Sequence, residues 1–167
     1  SKLNFALEMI TDLKSRGVDI HGLGYQGHFF IDDPHLDSIQ RVFIKSKNEN
    51  IPVHITELDV SVLPNGWKHR TASVEERFKL SAKYNPYPKG APEEVLDNQA
   101  KRYADIFKIF VSYSDIIERV TFWGVWDGNS WRDYRPMLGR TDYPLLIGRE
   151  FEKKPAYNSV IQTAKSQ

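Results

Sequence analysis

The sequence predicts an α/β fold of parallel strands joined by crossover helices, and three observations support it. Four segments have apolar residues at helical spacing and three have strand character, in the order helix, strand, helix, strand, helix, strand, helix. Such alternation makes neighbouring strands parallel, because each helix returns the chain to the same end of the sheet. All three strand segments also run out into polar or aromatic residues: Gln26 and His28, then Glu57 and Asp59, then Trp123 and Asp127. In both common parallel architectures, functional groups gather at the carboxyl ends of strands.

Residues 2–16 place Leu3, Leu7, Ile10 and Leu13 on one helical face, and Gly17 follows as a stop. Residues 18–30, VDIHGLGYQGHFF, read as a short glycine-containing strand. Residues 35–48 return to helix, with Leu36, Ile39, Val42 and Phe43 on the apolar side. Residues 51–59 form the second strand, where Val53 and Ile55 alternate with His54 and Thr56. Strict alternation puts Glu57 and Asp59 on the face of Val53 and Ile55, and turns His54 towards the surrounding helices. A long loop over residues 60–91 contains Pro64, Gly66, Pro86, Pro88 and Gly90. Pro92 opens an amphipathic helix built on Val95, Leu96, Gln99, Tyr103, Ile106, Phe107 and Phe110. Residues 119–126 are the third strand, a polar aromatic loop runs to about residue 150, and the last helix starts near Pro155. A complete eight-stranded barrel takes about 250 residues, so three strands in 167 residues read as part of one.

The composition is that of one globular domain, 40% hydrophobic and 27% charged. A net charge of +1 gives no electrostatic reason to expect nucleic acid or an acidic membrane as partner. The chain has no cysteine, which excludes disulfides, thiol catalysis and most structural zinc sites. No apolar run approaches the roughly 18 residues of a membrane span, and no signal peptide is read at the start. Ser1 in place of Met is what a mature or excised piece would show. The 4 Trp and 8 Tyr supply flat apolar faces for a ligand.

Two carboxylates at the end of a buried strand are costly unless something uses them. GLGYQGH at 22–28, VHITELD at 53–59 and WGVWDGNSW at 123–131 resemble the sixth, seventh and eighth strand motifs of family 10 glycoside hydrolases, the endo-1,4-β-xylanases. The ending YPLLIGREFEKKPAYNSV, residues 143–160, resembles that family's closing segment. The resemblance implies that residues 1–167 are the carboxyl-terminal portion of one (β/α)8 catalytic domain, about strands six to eight with their helices. It implies internal cleavage of xylan with retention of configuration, which takes two carboxyl groups, one nucleophile and one acid/base. Glu57 matches the nucleophile. His28 and Asp59 match the hydrogen-bonding pair around it, and Gln26 matches a polar residue facing the sugar. Trp123 and Trp131 match the aromatics lining the same subsite, with Trp131 the less expected of the two in a core. Trp67 and Trp126 are left to packing or loops. A metal held by His28, Glu57 and Asp59 is conceivable by ligand type, but the family implies neither metal nor cofactor.

One departure stands out. The family's acid/base lies in an Asn-Glu pair after the fourth strand, whereas the Asn-Glu of this chain is Asn48-Glu49, in a helix-end turn. The loop after Asp59 is also longer than the family's usual connection. The chain is therefore expected to supply the nucleophile without the acid/base and to be inactive alone. Its expected partners are xylan or xylo-oligosaccharides, and either the missing amino-terminal strands or a second copy of the chain, which would cover its open sheet edges. The resemblance also implies a secreted, surface or periplasmic protein. Two alternatives stay open: a non-catalytic carbohydrate-binding or assembly module derived from such an enzyme, and a related hydrolase of another β-glycan.

Overall fold

The computed structural model describes residues 2–69 and 83–166, so residues 70–82 of the expected long loop lie outside the described residues. Helix α1 is Lys2–Ser15, strand β1 Leu23–Tyr25, β2 His28–Phe30, α2 Leu36–Asn48 and β3 Val53–Ser61. Helix α3 is Glu93–Ser112, β4 Ile117–Phe122 and α4 Pro155–Lys165. Short 3-10 turns occupy Gly66–His69, Asp127–Asn129 and Trp131–Asp133.

All strand pairings are parallel, with β1 and β2 along one side of β3 and β4 along the other. The expected first strand is thus two short ones. The break falls at Gln26-Gly27, where Gly27 adopts φ +85 and a Cβ would lie 3.1 Å from Ile55 Cγ2. Only a glycine turns there at low cost. The third expected strand begins and ends earlier than residues 119–126. Gly124, at φ +143, turns the chain away just beyond it, and a Cβ there would lie 2.8 Å from Leu145 Cδ1.

The main core lies between the sheet and three helices. Val53, Ile55, Leu58 and Val60 of β3 pack with Ile39 and Phe43 of α2, Tyr103, Ile106 and Phe110 of α3, and Ala156 and Val160 of α4. A smaller cluster of Leu7, Ile10 and Ile51 seats α1. Both sets follow the helical periodicity read from the sequence. Pro92 precedes the first turn of α3 and Pro155 opens α4, positions where a missing N–H costs nothing.

In β3 the core residues change parity, from 53 and 55 to 58 and 60. Ile55 pairs with Val120 and Leu58 with Phe122, three steps on β3 against two on β4. Towards the other neighbours, Tyr25 pairs with Ile55 and His28 with Asp59, three steps against four. Strand β3 therefore carries one extra residue against both sides, a β-bulge at Thr56-Glu57. The bulge overturns the expected faces. Glu57 and Asp59 lie on the face opposite Val53 and Ile55, and His54 shares that face, its Nε2 2.7 Å from Glu118 on β4.

Candidate active site

The bulge brings Glu57 to the carboxyl end of the sheet, where its N–H donates to Gln26 O at 2.8 Å. The side chain is 23% exposed, with Oε2 3.0 Å from His28 Nε2. Gln26 Nε2 donates to Oε1 at a long 3.4 Å, so Oε1 is the less firmly held oxygen.

Asp59, two residues on, is fully buried and serves as a hub. Its Oδ1 accepts from Arg132 Nε at 2.8 Å and Nη2 at 2.6 Å. Its Oδ2 accepts from Trp131 Nε1 at 2.8 Å and lies 3.1 Å from His28 Nδ1, an ion-pair distance without hydrogen-bond alignment. Burial alone would raise the Asp59 carboxyl, but His28 and the Arg132 guanidinium outweigh it and hold the group below its usual range. Asp59 is thus a fixed anion, unsuited to deliver a proton. His28 stands between the two carboxylates; a neutral ring can donate to one of them and an imidazolium to both.

A cleft of about 370 Å³ opens over this group, lined by Gln26, His28, Glu57, Trp67, Trp123 and Trp131. All the residues expected around the nucleophile meet there except Asp59, which sits beneath. Among the described residues lining it, Glu57 is the one carboxylate. The Trp131 ring lies 4.6 Å from that of His28 and 6.2 Å from that of Trp67. The exposures of the two expected tryptophans are reversed: Trp123 is 46% exposed, whereas Trp131 is half-buried and pinned by Asp59. A larger cavity, about 560 Å³ between α1 and α2, is lined by residues such as Asn4, Glu8, Lys45 and Glu49 and lies away from the strand ends.

Two contributors were missed in the sequence. Arg132 carried no signal, since a lone arginine in a polar loop is usually solvated. Trp67 could have been weighed with the other tryptophans, because a large aromatic in a loop after the Glu57 strand has a cleft within reach. Asp127 goes the other way. It turns from the cleft into a buried pair with Lys154 at 2.8 Å and accepts from Leu145 N at 2.7 Å. Burial pushes its carboxyl up to about 6 despite Lys154. Among the described residues, no group of three His, Cys, Asp or Glu is placed to hold a metal ion.

Comparison with known proteins bears on this arrangement. Residues 1–163 match the family model of Glycosyl hydrolase family 10. Endo-1,4-beta-xylanase A of Xylanibacter ruminicola is 34% identical over 97% of this chain and 44% of its own length. An endo-1,4-beta-xylanase of Geobacillus stearothermophilus is 34% identical over 92% of this chain and 42% of its own. Among solved structures, a family 10 endoxylanase retrieved from sugarcane soil metagenome superposes with TM-score 0.86 at 40% identity, covering 97% of this chain and 45% of that one. A mutant structure in complex with xylotriose gives TM-score 0.78 at 30% identity, covering 96% of this chain and 44% of that one. The chain thus spans less than half the length of these relatives, and its parallel sheet with flanking helices is a partial (β/α)8 barrel. The chain belongs to glycosyl hydrolase family 10.

Proposed function

We propose that this chain, within a complete barrel, forms the nucleophile side of a retaining endo-1,4-β-xylanase. The observation that carries the reading is Glu57, the one carboxylate among the described cleft-lining residues, held by His28 beside three indoles. In this reading Glu57 Oε1 attacks the anomeric carbon as the glycosidic C–O bond breaks. The departing oxygen takes a proton from an acid/base supplied by another part of the barrel. Water, deprotonated by that same group, then attacks the anomeric carbon and releases Glu57. The indoles offer flat apolar faces to the C–H surfaces of xylose units. A substrate too large to enter a cell places the work outside the cytoplasm.

A mechanism-based inhibitor with a dinitrophenolate leaving group tests this, because its departure needs no proton. A 2-fluoro xylobioside of this kind is expected to label Glu57 in the complete protein, and Glu57→Gln to abolish labelling. The isolated 167-residue chain is expected to leave xylan uncut. Failure of the complete protein to label, while still binding xylo-oligosaccharides, would favour the carbohydrate-binding module.

A further inference from the structure

We infer that Arg132 is a positioning residue for the nucleophile, acting through Asp59. The inference rests on the reading of Glu57 given above and extends it inwards by two residues. Arg132 is 3% exposed and its guanidinium lies over the face of Trp131 in the cleft lining, 5.4 Å from the ring centroid. Its Nε and Nη2 both meet one oxygen of Asp59, and Nη2 also donates to Phe29 O at 3.2 Å. The guanidinium stacks over Phe30 at 4.8 Å. It therefore ties together β2, β3 and the turn carrying Trp131.

The chemical consequence lies in which oxygen is left over. With Oδ1 held by Arg132 and Oδ2 by Trp131 Nε1, the Asp59 carboxylate is fixed at both oxygens, and Oδ2 faces His28 Nδ1 at 3.1 Å. His28 in turn fixes Oε2 of Glu57. The chain Arg132, Asp59, His28, Glu57 thus sets the direction of the attacking oxygen, while a parallel branch through Trp131 sets one wall of the cleft. The guanidinium matters because its directed N–H groups reach Asp59 Oδ1 twice and Phe29 O once; an ammonium at the same place would neutralise Asp59 without that fixed set of directions.

The test uses the complete protein that carries this chain and a dinitrophenyl β-xylobioside. Attack by Glu57 forms its ester bond to the anomeric carbon as dinitrophenolate leaves with the bonding electrons, so the burst of dinitrophenolate reads nucleophile placement alone. Arg132→Ala is expected to slow the burst about 100-fold, the usual effect of a displacement near 1 Å, with KM changed much less. Added guanidinium chloride at millimolar concentration is expected to restore part of the rate, and sodium chloride none. Arg132→Lys, which keeps the charge and preserves folding better, is expected to slow the burst about tenfold. A wild-type burst rate in either variant would overturn the inference, as would a slow Arg132→Ala that guanidinium leaves unmoved. If the unsubstituted protein neither bursts nor labels at Glu57, the reading of Glu57 itself fails and this inference falls with it. A burst that is insensitive to Arg132 sinks only the inference.

Discussion

Two buried aspartates give this protein opposite responses to pH, for reasons visible in their partners. Asp59 is held below its ordinary range, so its stabilising contribution is present above that ordinary value and is lost as pH falls through the depressed one. Asp127 rises from 3.8 to about 6, because burial outweighs its bond to Lys154. The folded state then holds the proton more tightly than the unfolded chain. Its contribution is complete below pH 3.8 and is lost as pH rises through about 6. The unsubstituted protein should therefore lose stability relative to Asp127→Asn on going from about pH 4 to about pH 7. The relative loss is on the order of 2 kcal/mol, read as the difference in urea midpoints. The opposite slope would mean that Lys154 dominates and keeps the pair ionised throughout.

At the level of elements, the bulge in β3 decides what the strand presents. Deleting Thr56 would remove the extra residue and bring β3 into step with both neighbours, leaving Val53, Ile55, Leu58 and Val60 alternating on the helix side with His54, Glu57 and Asp59 opposite. The expected outcome is retained covalent labelling in the complete protein, with a loss of stability smaller than the roughly 2–5 kcal/mol of an emptied core site, because every side chain keeps its face. Loss of labelling in a variant that still folds would show that the bulge itself, and not alternation alone, aims Glu57. The order of elements was legible because the apolar faces of α2, α3 and α4 repeat at helical spacing, and Glu57, Asp59 and His28 were legible as a group through their motifs. The bulge was not. VHITELDV contains no glycine or proline to mark an extra residue, and a period-two reading cannot register one. Without it, His54 was turned to the wrong face. Arg132 escaped because its partner lies 73 residues away in sequence, and Asp127 was misplaced because its cation, Lys154, belongs to the segment leading into α4. Such pairings are made by tertiary packing and leave no local pattern.

For the molecule as a whole, the sheet is the governing fact. Strand β3 is bonded on both sides, whereas β1, β2 and β4 each pair along one edge among the described residues. Unpaired backbone at both edges favours association with further strands. At micromolar concentration the isolated chain should scatter light as a dimer or larger species, and adding the amino-terminal half of the barrel should convert it to a one-to-one complex. A stable monomer would count against that expectation.

The same ladder also fixes the order in which the assembly comes apart. A flank anchored along a single border can peel away while the centre keeps its remaining bonds, so fraying starts at the margins. Glu57, carried on the innermost ribbon, is among the last groups to lose its place.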